Sequence, residues 1–239
     1  MKISIITVTL NSDKTLRDTL NSVLSQTYKN IEHIIVDGGS HDQTKAILKR
    51  YPNKNKRIYT HKGSGIYAAI NYGIKKSKGN FITILNSDDF YQSEKTITNV
   101  VKKIKTNKKI KIFVGDVAYF EELDYYNIKR FYSMGKFKPW QMKFGLMPPH
   151  PGSFIKKDIY QKNGLYNEDF KIASDFEFFL KNIYINKIKY KSFEDTIVRM
   201  RLGGISSKNI FSYITSTTEI WKSFKINKLS TNLISLILR

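Results

Sequence analysis

The run from Ile3 to Leu10 is rich in branched apolar residues and predicts a buried strand, and Asn11-Ser12-Asp13 behind it offers side chains suited to helix capping. Thr15 to Gln26 then carries Leu16, Leu20, Val23 and Leu24 at helical spacing. The block IEHIIVD (31–37) predicts a second strand, closed by Gly38-Gly39-Ser40 and followed by a helix from about Asp42 to Arg50. Two strand-helix units in succession imply a parallel sheet. A loop is expected from Pro52 to Gly65, a helix from Tyr67 to Lys76, and another apolar strand in FITILNSDD (81–89) that runs directly into polar and acidic residues. The Lys-rich segment 102–111 reads as a solvated helix face and turn before a strand in IKIFVGDVAYF. Between 131 and 153 the sequence is irregular and rich in aromatic residues, Met, Gly and Pro, which predicts a long loop or lid. Beyond Gly203-Gly204 the pattern is helical, with Ile210, Phe211, Ile214, Ile220, Trp221 and Phe224 interleaved with Lys222, Lys225 and Lys228.

The 239 residues suit one enlarged domain or a domain with an appendage, and 41% hydrophobic residues are enough for a large core. The net charge of +21, from 41 Lys+Arg against 20 Asp+Glu, favours an anionic partner: nucleic acid, a nucleotide ligand or an acidic membrane face. It does not choose among them. With no Cys and only four scattered His (33, 41, 61 and 150), disulfide frameworks, iron–sulfur clusters and thiolate zinc sites are excluded, and any metal must be held by oxygen. The N-terminus reads as a strand rather than a signal peptide, and no stretch approaches the ~18 apolar residues of a membrane span, so residence in the cytoplasm is expected.

Chemistry concentrates in ILNSDDF, where Asp88 and Asp89 at a strand end are able to place oxygens on a hard divalent cation, which in turn neutralises a diphosphate. A turn rich in Asn, Ser and Asp looks the same when taken alone. Asp37 also ends a strand, and carboxyl ends of neighbouring parallel strands share one edge, so the three carboxylates are expected to face one crevice, the usual ligand site of open α/β sheets.

Five blocks, in order, extend this picture: ISIITVTLN with the helix Leu16 to Tyr28, IIVDGGSHDQT (34–44), GIYAAINYGIKKSKGNFITILNSDD (65–89), PHPGSFIKKDIYQKNGLYNEDFKIASDFEFFLK (149–181) and GGISS (203–207). Together they resemble the family 2 glycosyltransferases, above all the short bacterial enzymes that build O-antigen, capsule or exopolysaccharide on a lipid diphosphate. The resemblance implies an α/β GT-A fold, with a Rossmann-like, mainly parallel sheet flanked by helices. It further implies a catalytic domain over 1–205, with a nucleotide-sugar half (1–115) and an acceptor and base half (116–205), followed by a helical tail over 206–239. Thr7, Thr9 and Asp37 then line the nucleotide pocket, Asp88 lies near ribose and diphosphate, and Asp89 ligates Mn²⁺ or Mg²⁺ as the last member of a DxD-type motif whose first position is Asn86. Asp175 in ASDFEFF matches the catalytic base. His150 is a candidate contact to diphosphate or acceptor, or an ordinary loop histidine. Glu177 is expected to be structural, and Trp140 to pack the lid rather than stack on sugar or lipid.

The implied reaction inverts the anomeric centre of a nucleotide sugar, a UDP-linked hexose or N-acetylhexosamine, as a lipid-linked saccharide attacks it; a metal stabilises the leaving diphosphate and one carboxylate takes the acceptor proton. The sequence departs from the family pattern at Asp37-Gly38, where many members have two acids, and around GIY, where Lys62-Gly63-Ser64-Gly65 and Ala68 stand in place of acidic residues. Donor selectivity is what these changes affect. The tail holds five basic residues (Lys208, Lys222, Lys225, Lys228 and Arg239) against Glu219 alone, a balance of +4, and peripheral binding to an anionic membrane surface at the inner face of the cytoplasmic membrane is expected. Competing readings are a nucleic-acid-binding protein, which lacks any recognised motif here, and a sugar nucleotidyltransferase, whose glycine-rich loop is absent after the first strand.

Overall fold

The computed structural model describes residues 1–63, 65–121, 124–204 and 210–237. Ser64, Ile205–Ser207, Lys208 and Arg239 of the sequence reading lie outside the described residues. The first half alternates as expected: β1 (Ile3–Thr9), α1 (Leu16–Leu24), β2 (Ile31–Asp37), α2 (Thr44–Arg50), β3 (Lys56–Thr60), α3 (Ile66–Lys76), β4 (Phe81–Ile84), β5 (Phe90–Tyr91) and α4 (Thr96–Thr106). The second half holds β6 (Ile112–Glu121), β7 (Asp124–Tyr132), a 3₁₀ helix (Pro139–Phe144), β8 (Ser153–Lys156) and α5 (Lys157–Asn163). It continues with α6 (Ser174–Phe179), prolonged by a π-helical stretch (Leu180–Ile185), then β9 (Tyr190–Arg201), α7 (Ile210–Ile226) and α8 (Leu233–Ile237).

One sheet runs in the order β3-β2-β1-β4-β8-β6-β9-β5, with β7 paired to β6. β1, β2, β3 and β4 are mutually parallel, joined by helical crossovers that parallel pairing requires. The expectation of a mainly parallel sheet describes this half; beyond β4 the pairings of β4–β8, β6–β8, β6–β7 and β5–β9 are antiparallel, and β6–β9 is parallel. Every residue of β1 and β2 is buried, which is why both read as continuous apolar runs. Strand alternation sends Ile6 and Val8 to a core shared with α3, α6 and α7, and Ile3 and Ile5 to a second core with α4. Buried Glu32 and His33 are satisfied: Glu32 pairs with Arg57 and accepts from Ser4, and His33 bonds both Thr7 and Tyr51. Burial pushes His33 down to about 3, so it is neutral.

Three expectations are corrected. The loop predicted over 52–65 contains β3, an edge strand whose polar sequence and half-exposed Ile58 hide its period. The long loop or lid expected over 131–153 is a long connection between β7 and β8 that is packed into the fold, with Met134, Phe137 and Met142 buried in the first core, but Trp140, expected to pack, is 57% exposed and meets Phe144 edge-on. The tail is not a separable appendage. Ile220, Phe224 and Leu236 belong to the first core at 4%, 1% and 0% exposure. Three such side chains, at ~2–5 kcal/mol each on truncation, rival the whole ~5–15 kcal/mol of a typical domain.

Candidate active site

The carboxyl ends of β1, β2 and β4 meet at one edge. Register places Thr9 beside Asp37, and the Gly38 amide donates to the Thr9 carbonyl at 2.8 Å. The Asp37 carboxylate is buried and held by the Ser40 amide and hydroxyl. Thr9 Oγ1 is buried and makes no hydrogen bond, which leaves a free hydroxyl at this edge. Thr7 is different: it is fully buried, and its hydroxyl lies 3.0 Å from His33 Nε2. Thr7 and Thr9, two positions apart on β1, share one face of the strand, and the Thr7 hydroxyl is the one already engaged by a side chain.

Past β4 the chain turns at Asn86-Ser87-Asp88-Asp89, pinned from three sides. The Leu85 amide donates to the Ile6 carbonyl, Thr15 Oγ1 to the Ser87 carbonyl at 2.9 Å and Thr19 Oγ1 to the Asp89 carbonyl at 2.7 Å. Arg201, the last residue of β9, donates from Nε to the Asp88 carbonyl at 3.1 Å, forms an ion pair with Asp18 and lies over the Phe120 ring. The two carboxylates differ. Asp89 is 1% exposed and accepts from Asn86 Nδ2 at 3.0 Å, whereas Asp88 is partly open to the crevice. Desolvation raises both carboxyls, Asp89 the more strongly because it is the more deeply buried, with the Asp88 charge adding to its rise; Arg201 offsets part of each.

Asp175 stands at the start of α6. Burial pushes its carboxyl up to about 6, opposed in part by the Phe176 amide and by Tyr67. The Tyr67 hydroxyl, on α3, donates to the Ile172 carbonyl and lies 3.3 Å from Asp175 Oδ1. Glu177 is buried, and its Oε1 accepts from Asn227, which agrees with the structural role expected of it. Burial raises the hydroxyl of Tyr119, on β6, and the charges of Asp89 and Asp175 add to that rise. His150 sits deeper. It is buried, its Nε2 is 2.7 Å from the Tyr166 hydroxyl, and burial holds it down to about 4, so it is neutral near pH 7 and brings no charge to a diphosphate.

Residues 4–170 match the family model described as Glycosyl transferase family 2. The chain belongs to glycosyltransferase family 2. Its relatives include an Escherichia coli enzyme named UDP-Glc:alpha-D-GlcNAc-diphosphoundecaprenol beta-1,3-glucosyltransferase WfaP, 31% identical over 94% of this chain and 87% of that protein. An uncharacterized glycosyltransferase of Rickettsia prowazekii is 28% identical over 93% of this chain and 71% of its own length. Among solved structures, S. aureus TarS 1–349 in complex with UDP-GlcNAc superposes with a TM-score of 0.76 at 21% identity, over all of this chain and 72% of that one. The fold of this family 2 glycosyltransferase is thus the GT-A fold.

The acidic pair of this glycosyltransferase suits a hard divalent cation. Among the described residues no group of three or more His, Cys, Asp or Glu gathers to hold a metal by itself. Two adjacent carboxylates, each raised by desolvation, are oxygen donors of the kind a hard divalent cation takes. Sequence reading missed Tyr67 and Arg201. Tyr67 lies inside the quoted GIY block, and only its hydroxyl contact shows a role; Arg201 ends a strand that the sequence pattern conceals.

Proposed function

We propose that this glycosyltransferase is a metal-dependent inverting enzyme that moves a hexose or N-acetylhexosamine from a UDP-sugar to a saccharide on a lipid diphosphate in bacterial surface polysaccharide assembly, such as O-antigen. The observation that carries the reading is the acidic pair Asp88-Asp89 in the turn past β4 of a chain that matches the family model. The name of the Escherichia coli relative supports a lipid diphosphate acceptor and a β-linkage. Asp37 and the free Thr9 hydroxyl offer polar groups to the nucleotide. Asp88 and Asp89 would hold Mn²⁺ or Mg²⁺, with Asp88 the more accessible. A cation bound there supplies Lewis-acid stabilisation of the departing diphosphate. Asp175, ionised above about pH 6, accepts the acceptor's hydroxyl proton as that oxygen bonds to C1 and the C1–O bond to the diphosphate breaks with its electron pair. One displacement inverts the centre, so an α-linked donor yields a β-glycoside.

A panel of nucleotide sugars offered with Mn²⁺ or Mg²⁺ and a synthetic lipid-diphosphate sugar tests the reading. Release of nucleoside diphosphate with a β-linked product is expected. Release of pyrophosphate from a nucleoside triphosphate and a sugar phosphate would instead mark a nucleotidyltransferase.

The acceptor places the reaction at a membrane, and the C-terminal region suits peripheral binding. Among the described residues no helix is long and apolar enough to cross a membrane. Ile210, Phe211 and Ile214 on the first turns of α7 are 70%, 74% and 54% exposed, while Lys222 and Lys225 follow on the same helix. Replacing the three apolar residues by Ser should weaken binding to anionic vesicles at least about tenfold, since each gives up apolar burial in the interface. Sedimentation with vesicles measures this, and unchanged binding would remove the membrane role of α7. Point changes serve better than truncation because the distal part of α7 is core.

A further inference from the structure

We propose that Glu219 is a positioning residue for the catalytic base: from α7, beyond the residues matched by the family, its carboxylate fixes the backbone that presents Asp175. The proposal rests on Asp175 acting as the base. Glu219 is 9% exposed, and its two oxygens receive three backbone amides from the segment entering α6. Oε1 accepts from Lys171 at 2.7 Å, and Oε2 accepts from Ile172 at 2.9 Å and Ala173 at 2.8 Å.

These amides lie two to four positions before Asp175. No side chain of the segment itself caps α6, whose N-terminal flanking residue is Ala173. An ionised acceptor makes hydrogen bonds roughly twice as strong as neutral ones, and three amides converging on one carboxylate leave the segment little freedom. From the other side the Tyr67 hydroxyl donates to the Ile172 carbonyl, so Ile172, three positions before the base, is held through its N–H by α7 and through its C=O by α3. A second contact repeats the link, Asn227 Nδ2 of α7 donating to Glu177 Oε1 of α6 at 3.3 Å. α7 thereby sets where the base stands, although none of its residues shares a sequence neighbourhood with Asp175.

Glu219→Gln keeps the shape and turns one acceptor oxygen into an N–H₂ donor facing amide donors, whereas Glu219→Asp keeps both oxygens and shortens the reach by one methylene. With the donor found in the nucleotide-sugar panel, Glu219→Gln should lower kcat roughly 10- to 100-fold, the scale of a small misplacement of a reacting group. The donor KM, and UDP affinity by calorimetry, should stay near those of the unaltered protein. Glu219→Asp should recover part of kcat, and the amides of 171–173 should exchange hydrogen faster in the Gln variant. If the Gln variant does not fold, the Asp variant carries the same comparison, with a smaller fall in kcat at unchanged donor KM expected. A folded variant with unaltered kcat, or one whose kcat and UDP affinity fall together, would overturn the proposal. Failure of the base reading shows separately, as retained turnover in Asp175→Asn.

Discussion

Asp175→Asn should lower transfer by roughly 10²-fold or more, the scale of lost general base catalysis, while nucleotide affinity stays near that of the unaltered protein. The amide keeps the carboxylate's shape and accepts no proton. Asp37, Asp88 and Asp89 are untouched, so calorimetry with UDP should show little change as turnover collapses. Two pH effects accompany this. A base whose carboxyl is raised to about 6 is half protonated there, so kcat of the unaltered protein should fall tenfold per pH unit well below pH 6 and level off above it. Stability follows the opposite trend. The folded value lies above the ordinary 3.8, so the contribution of the protonated group is fully present below about 3.8 and is lost as pH rises through about 6. Asp175→Asn should then be more stable than the unaltered protein above pH 6, on the order of 2–3 kcal/mol, and nearly equal to it at pH 4. Urea unfolding at the two pH values checks this. Weak UDP binding with turnover preserved at saturating donor would move Asp175 to the donor site. The base would then be sought among Glu177, Glu168 and Asp169, of which Glu168 already accepts from Asn71.

Chelation by EDTA should abolish transfer, and Mn²⁺ or Mg²⁺ should restore it. Asp89→Ala should lose transfer as well, while a folded Asp89→Ala protein with unaltered turnover would sink the assignment of that residue. The structure sharpens the test. Asp89 is the inner carboxylate, fixed by Asn86, and Asp88 the one open to the crevice, so Asp88→Asn should raise the metal concentration needed for half-maximal transfer. Because both carboxyls are raised, protons compete with a metal there, and metal affinity should weaken as pH falls. Transfer that survives EDTA would shift attention to Arg201, whose guanidinium already stands beside the Asp88 backbone.

Much of the nucleotide half was legible from local pattern. β2 spans the residues its apolar run marks, and α1 buries Leu16, Leu20 and Val23 of its helical pattern while Leu24 is exposed. β9 was not legible. Its twelve residues, YKSFEDTIVRMR, bury positions unevenly because it lies between β6 and β5 with register shifts, so no regular alternation marks it. The stretch from 131 to 153 read as a loop, but its burial was not legible for a related reason: Met134, Phe137 and Met142 are buried in irregular backbone, where burial has no period to read.

The sequence by itself determined that a parallel α/β unit exists, that Asp37 ends one of its strands and that Asp88 and Asp89 follow another. Those facts depend on near-neighbour pattern and on side-chain chemistry, both of which are written locally. Tertiary structure alone decided what each group does with its neighbours. It turned the Thr7 hydroxyl to His33 and left that of Thr9 free, and it buried His150 against Tyr166. It also made Asp89 the inner and Asp88 the outer acid of one pair. It brought Arg201 to Asp18 across 183 positions and Glu219 back across 46 to 48 positions to the segment before Asp175. Such contacts carry no periodic signature, because they follow from how the helices and strands pack, and packing also sets the desolvation that raises Asp175 toward the pH at which a base works.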